Sequence, residues 1–460
     1  MQKALLLKIL AILGLTIMIC IPLIMIQNTI VERTQFRQAA VDSIAKDSVR
    51  EQTLAGPMLV IRYTDEYEES IEVADGVGKR KQNVVRSVKR RLLVFPNELS
   101  IASRMETDRR YRGIHQVLVF AGLHDIKGDF AIPVMNDLPR ASPNSRLRLG
   151  RASVVLGVGD VRGIKNIPTI DWNGARVEFQ QGTEMAALAN GLHADVAQLT
   201  LEQPASVTFS MTLGLDGIER QSFVPVGKHN KVSVRSPWPH PQFAGAFLPS
   251  ARDRTINQAG FSAMWEVTSL STTVQKQIRE RDDGPAAAGP QAGLESFSIG
   301  FIEPVNVYSL AERATKYGLL FIALTFAAFF MFEMIKQLPI HPVQYLLVGL
   351  ALVMFFLLLV SLSEHVQFAL AYVLASASCS GLLGFYLSYV LRDWRRGVGF
   401  AAALTALYGA LYGLLISENN ALVLGTLLLF AVLAAVMVAT RKIDWYSIGK
   451  ADGGAGALCS

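Results

Sequence analysis

The stretch ALLLKILAILGLTIMICIPLIMI, residues 4–26, decides the class of this protein. It is long enough to cross a hydrocarbon core that needs about 20 apolar residues at ~1.5 Å each. Lys8 sits near its entry end, where its long stem lets the ammonium snorkel to the surface. A cleaved signal peptide is the rival reading, but the apolar run exceeds a usual h-region and no A-x-A-like site follows it. Ile17, Met18 and Ile19 precede Cys20, in place of the small residues that a lipoprotein site needs. The expectation is an uncleaved anchor.

Comparable hydrophobicity returns only at the far end, in five further candidate spans at about 317–334, 344–362, 368–390, 398–416 and 421–440. Short polar loops join them, so the helices are expected to be antiparallel neighbours. Lys and Arg beside spanning segments are retained on the cytoplasmic side. Lys3, Lys8, Lys336, Arg392, Arg395, Arg396, Arg441, Lys442 and Lys450 all fall on one side of a six-span arrangement, and the opposite short loops carry Glu364 and Glu418 instead. The reading is a multi-pass α-helical membrane protein, one helix plus five, with both termini and a tail at 441–460 in the cytoplasm. Residues 27–316 then form a translocated domain, periplasmic if the envelope is of Gram-negative type, despite Arg313 and Lys316, because long domains translocate largely regardless of charge.

Within that domain the dominant period is two, the mark of half-buried strands. Val207, Phe209, Met211, Leu213 and Leu215 alternate with polar or small residues, as do Val177 and Phe179, and Val232 and Val234. A large, mainly-β, sandwich-like domain is expected. Phe36, Ala40 and Ile44 recur every four residues, which extends the first helix outward as an amphipathic stalk ending before Gly56 and Pro57. The three cysteines, Cys20, Cys379 and Cys459, all lie outside the domain, so no disulfide framework supports it; a region of this size buries a core unaided. The net charge of +6 partly reflects topology signals and gives no case for nucleic acid. Residues 282–293, rich in Gly, Pro and Ala, read as a surface loop. Acidic Asp65, Glu66, Glu68 and Glu69 are followed by basic Lys79, Arg80, Lys81, Arg86, Lys89, Arg90 and Arg91. A hairpin turning near residues 74–78 would pair those charges across its ladder. A basic ridge on anionic lipid or envelope polymer is the functional alternative.

Catalytic patterns are scarce. H-E-x-x-H, G-x-S-x-G and P-loop motifs are absent. Gly157, Gly159 and Gly163 sit in a β context and read as a turn or bulge, since a phosphate cradle needs a strand-to-helix setting. His115 and His124 have no ligand spacing and read as structural. Inside the membrane block, Glu333 lies three residues from Lys336 and suggests an interfacial pair, with Glu364 and His365 also interfacial. Ser376, Ser380 and Gly384, and likewise Thr405, Gly409 and Gly413, recur at spacing four and predict helix-packing seams. No metal or cofactor is expected.

Several separated motifs resemble the CreD family of bacterial inner membrane proteins. They include Arg112, Gly113 and Ile114 through Val117 and Val119 to Gly128 and Phe130; Ser236-Pro237-Trp238-Pro239-His240-Pro241 with Phe243, Gly245, Leu248 and Pro249; and Gly260-Phe261 with Trp265. In the membrane block they are Lys316-Tyr317-Gly318, His341-Pro342-Val343-Gln344-Tyr345, Ser361-Leu362-Ser363-Glu364-His365 and Arg441-Lys442-Ile443-Asp444-Trp445-Tyr446. Together they cover the chain from near Gln52 to Tyr446, with departures at His115 and Leu118, where an aromatic residue and a proline are expected. The resemblance implies an inner membrane location in a Gram-negative-type envelope, a role in envelope homeostasis, and expression under a sensor kinase and response regulator. It implies no reaction.

Three functions remain open. The first is a non-enzymatic protein supporting envelope integrity, whose β domain binds a protein, glycan or lipid component while its helices anchor in the bilayer; Trp238 and His240, in a proline-constrained loop, are its candidate binding residues. The second is a transporter or lipid-handling protein, motivated by Ser376, Ser378 and Ser380. The third is an envelope enzyme using Glu364 and His365 as acid and base. Oligomeric state is not legible.

Overall fold

The computed structural model describes residues 2–47, 49–75, 78–112, 115–196, 199, 201–283, 293–301, 307–336, 340–391, 393–417 and 421–441. Two compact units emerge, Met1–Gln38 with Val305–Ser460, and Ala39–Pro304.

One helix, α1, runs from Gln2 to Asp47. The second unit then contains β1 (Gln52–Asp75), β2 (Gly78–Val94), β3 (Glu98–Arg112), β4 (His115–Ile132), β5 (Arg146–Val158), β6 (Thr169–Trp172), β7 (Ala175–Glu178) and β8 (Gln180–Gln181). It continues with β9 (Gly191–Val196), β10 (Ala205–Ile218), β11 (Arg220–Val224), β12 (His229–Ser236), β13 (Pro241–Gly245), β14 (Thr255–Asn257), β15 (Gly260–Thr268), helix α2 (Val274–Asp283) and β16 (Phe297–Phe301). Two eight-stranded sheets result. One has the order β13-β16-β11-β1-β5-β9-β8 with β2 added on β1, and the other the order β14-β15-β12-β3-β4-β10-β6-β7.

The sheets meet through aromatic rings. Trp265 of one stacks on Phe297 of the other at 5.0 Å, and Phe120 and Phe261 both reach Phe301. The period-two residues lie where alternation places them: Phe209, Met211, Leu213 and Leu215 of β10 are buried, and so are Val232 and Val234 of β12. Full burial of such side chains stabilises by roughly 1.5–3 kcal/mol each, which fixes the register, since a one-residue slip would turn the whole row to solvent. The large mainly-β, sandwich-like expectation holds.

The charged segment forms the β1–β2 hairpin, with Asp75 opposite Gly78. Arg86 pairs with Glu69 at 2.7 Å and Arg90 with Asp65 at 2.9 Å. Asp65 is fully buried. Burial raises its pKa, but the Ala141 N–H, the Ser145 hydroxyl and the Arg90 guanidinium outweigh that and hold the carboxyl below its usual range. Gly159 and Gly163 are demanded by close approach: a Cβ at Gly163 would lie 2.3 Å from the Asp216 carbonyl oxygen and one at Gly159 2.8 Å from the Thr53 nitrogen. They pack backbone on backbone at the end of β5, which matches the turn reading.

The other unit completes the helices: α3 (Val307–Lys316), α4 (Gly318–Lys336), α5 (Pro342–Ser363), α6 (Phe368–Val390), α7 (Trp394–Ile416) and α8 (Ala421–Thr440). By length and composition α1 over Leu10–Ser43, α5, α6 and α7 can each cross a membrane, and α3 with α4, bent by 43°, makes a fifth span if counted as one. Among the described residues, four to five of the six expected spans are thus present. The α4 span begins with a helical turn region that the hydropathy reading left out, because α3 carries Glu312, Arg313 and Lys316 and is amphipathic. Helix α8 occupies the stretch expected for the sixth span, but several of its side chains lie outside those described.

An aromatic core holds this unit together. Tyr408 meets Phe355 at 4.4 Å and Phe321 at 4.6 Å, and the Tyr372 hydroxyl donates to the Tyr408 carbonyl at 2.7 Å. Ser380 is buried, and a Cβ at Gly384 would lie 2.8 Å from that of Ala401, so the first predicted seam does pack α6 on α7. The second does not. Thr405 is exposed, and Gly409 and Gly413 face open space. Spacing alone identifies a smooth stripe, not how far its neighbour extends; the α7 residues that meet Gly384 are Gly397 and Ala401, about one to two turns N-terminal on nearly the same side of the helix.

Candidate functional site

Residues 236–241 carry the chain from β12 in one sheet to β13 in the other. Prolines at 237, 239 and 241 each fix φ near −65° and remove an N–H, so the crossing is stiff without ladder hydrogen bonds. Two local bonds complete it: Trp238 N donates to Ser236 Oγ at 3.2 Å, and the indole Nε1 donates to the His240 carbonyl at 3.1 Å. Trp238 is half-buried, its inner edge packed on the sandwich core, while His240 is exposed. Their rings stand edge to face at 6.2 Å. The structure thus places the two residues singled out from sequence in one contact.

A third residue joins them. The Arg109 guanidinium, on exposed backbone of β3, lies over the Trp238 ring at 5.8 Å. Such cation–π contacts contribute about 0.5–1 kcal/mol at exposed sites. Beside the loop opens a cavity of about 480 Å³, lined by Arg104, Glu106, Arg235, Pro237, Asn257 and Phe261 among others. Gly260 makes its wall: it adopts φ +128°, and a Cβ there would lie 2.1 Å from the Ser236 carbonyl oxygen. Arg104 faces Asp125 at 3.6 Å. The surface therefore offers an aromatic plane, a guanidinium and an imidazole next to an open hollow lined by Arg104 and Arg235, which suits stacking and hydrogen bonding to a polar or anionic group.

His124 takes no part in it. It is fully buried on β4, its Nδ1 2.8 Å from Ser103 Oγ and its ring edge-on to Phe223 at 5.9 Å. Burial pushes its pKa down to about 4 against a smaller upward pull from Asp125. It is a structural neutral histidine, as expected. The side chain of His115 lies outside the described residues. Among the described residues no group of three or more His, Cys, Asp or Glu could hold a metal.

The membrane unit holds a polar node that spacing did not reveal. Glu333 is buried on α4; it pairs with Lys8 of α1, accepts from the Tyr345 hydroxyl at 2.8 Å and from the Ile340 N–H at 3.3 Å. The side chain of Lys336, the partner expected from sequence, lies outside the described residues; Lys8 reaches the carboxylate from a different helix. Glu364 is likewise engaged, by Arg33 at 3.5 Å and by the Tyr308 hydroxyl at 3.2 Å. His365 Nδ1 lies 3.2 Å from the Ser361 carbonyl. Lys8 and Arg33 stand about 37 Å apart along α1 at ~1.5 Å per residue, so two ion pairs bracket a hydrocarbon core of ~30 Å. Of the serine face, Ser376 donates to the carbonyl of Val373 in its own helix, Ser378 is exposed and Ser380 is buried.

Residues 4–446 match the family described as inner membrane protein CreD. The chain belongs to the CreD family. Inner membrane protein CreD of Escherichia coli (strain K12) is 34% identical over 443 residues, covering 96% of this chain and 93% of that protein. The family assignment makes this an inner membrane protein. Among solved structures, an M1 zinc metallopeptidase from Deinococcus radiodurans aligns over 45% of this chain and 42% of its own at 8% identity and a TM-score of 0.22. Leukotriene A4 hydrolase from Saccharomyces cerevisiae aligns over 46% of this chain and 30% of its own, at 10% identity and a TM-score of 0.21. Scores this low carry no inference about a CreD-family fold or activity. Arg109 is the member of the loop site that sequence reading missed; its signal was the basic run Asp108-Arg109-Arg110-Tyr111-Arg112, which is not placed beside Trp238 until β3 and β12 pair.

Proposed function

We propose that this CreD-family protein supports cell envelope integrity without catalysing a reaction, its β domain binding an envelope component at the Trp238 loop. The observation that carries the reading is the Arg109–Trp238–His240 cluster, next to an open hollow that Pro237 lines. An indole held by its own N–H bond and covered by a guanidinium is a preorganised recognition surface, and aromatic and Arg anchors dominate binding energies. With Lys and Arg retained in the cytoplasm, both termini lie there and the β domain faces the periplasm, where such components are found.

The test is binding of the purified full chain to envelope fractions, namely peptidoglycan, lipopolysaccharide and phospholipid vesicles. Trp238→Ala and Arg109→Gln are expected to abolish capture of one fraction while the β-sheet circular dichroism stays unchanged. Capture by neither wild type nor variants, or loss of fold in both variants, contradicts it.

A further inference from the structure

We infer that a cleft between α4 and α7 seats one acyl chain of an anionic phospholipid, drawn from the leaflet whose surface lies at the α7 N-terminus. The cleft has a volume of about 360 Å³ and is walled by Leu324, Ala328 and Phe332 of α4 and by Gly399, Phe400 and Ala403 of α7. Helices α4 and α7 touch through large rings, Phe321 on Tyr408 at 4.6 Å and Phe329 on Phe400 at 5.8 Å. Small residues at 328, 399 and 403 then leave space beside those rings, and a Cβ added at Gly399 would meet nothing within 4 Å.

The chemistry of the wall selects a hydrocarbon. Thr325 is the polar residue along the apolar depth, and its hydroxyl donates to the Phe321 carbonyl in its own helix at 2.8 Å. The length selects a chain of one leaflet: Arg396 to Leu407 spans about 16 Å at ~1.5 Å per residue, close to half of a ~30 Å hydrocarbon core.

The charge at the mouth selects the headgroup. Arg396 lines the cleft at its α7 N-terminal end, 37% exposed, and Arg395 beside it is exposed. Asp393 offsets one of them, pairing with Arg396 at 3.3 Å. The two guanidinium groups still outnumber it, and the helix N-terminus adds its positive dipole end. A phosphodiester with a neutral glycerol head is attracted there, whereas a zwitterionic head brings its own cation against the arginines. This inference is independent of the Trp238 loop.

The experiment is native mass spectrometry of the full chain in detergent with equal amounts of phosphatidylglycerol and phosphatidylcholine of matched chains. Wild type is expected to retain phosphatidylglycerol about fivefold better, the factor that one arginine near an anionic surface contributes. Arg396→Gln should bring that ratio near one. Ala403→Phe and, from the opposite wall, Ala328→Phe should release both lipids, while Gly409→Phe, on open surface away from the cleft, should change nothing. Retention of both lipids by the two filled-cleft variants, or an unchanged ratio in Arg396→Gln, overturns the assignment. Testing both walls keeps a single misfolded variant from deciding the matter.

Discussion

Acidification should weaken the β sandwich through one residue, His124. The ring is fully buried between the sheets, and burial pushes its pKa from 6.5 to about 4. The folded value lies below the unfolded one, so the unfolded chain takes up the proton first. Above pH 6.5 the residue has no effect on stability. As pH falls from 6.5 to 4 its contribution turns progressively unfavourable, and below 4 it levels off. The gap of about 2.5 units at ~1.4 kcal/mol each gives a loss of about 3 kcal/mol. For a domain of this size that lowers Tm by roughly 6–12 °C. The assay is tryptophan fluorescence during heating of the full protein in detergent, which reports Trp172 and Trp265 in the sandwich, at steps from pH 7.5 to 4, for wild type and His124→Gln. Asp65, Asp160 and Glu295 also have depressed pKa values, and their stabilisation is lost as pH falls through those values. They are present in both proteins and cancel in the difference. The wild-type curve should fall away from the variant between pH 6.5 and 4. Parallel curves across that range would refute the account of a neutral, solvent-starved imidazole.

Other outcomes follow from particular contacts. Trp265→Ala, which empties a 1% exposed site stacked on Phe297, should cost about 3–5 kcal/mol, read by the same fluorescence transition. Lys8→Met alone should strand the buried Glu333 carboxylate and cost about 3–5 kcal/mol, whereas the double variant Lys8→Met, Glu333→Met should recover most of it; detergent thermal melts of the four proteins close the cycle. Gly384→Leu, pressed against Ala401, should cost about 1–3 kcal/mol by overpacking, while Gly413→Leu on open surface should stay within about 0.5 kcal/mol. Asp65→Asn, which leaves Arg90 facing a neutral group beside the Ala141 N–H, should flatten the acid limb of unfolding below pH 4.

Much of this architecture is legible in the chain because hydrophobic period survives translation into three dimensions. Alternation over 207–215 becomes the buried face of β10, and the charge blocks flanking residue 75 become a paired hairpin. What spacing cannot supply is the identity of distant partners. Glu333 points to Lys336 in sequence and to Lys8 in space, 325 residues away. The Thr405 to Gly413 stripe has the spacing of an interface yet faces open space. The start of the second span is misread for a related reason: hydropathy counts apolar length, whereas the amphipathic α3 is joined to α4 through a bend that windowed apolarity does not register. The loop site was half legible. The proline-spaced Trp238 and His240 stand out as residues, and Arg109 enters only once the sheets set β3 beside β12.

The central claim, recognition at the Trp238 loop, is tested most directly by photocrosslinking in living cells. A photoreactive residue replaces Asn257 on the hollow's wall, leaving Trp238, His240 and Arg109 in place, and adducts are identified by mass spectrometry. The account predicts one dominant envelope adduct that disappears when Trp238→Ala or Arg109→Gln is added. An adduct that persists in both variants, or no adduct at all from this wall, would contradict it.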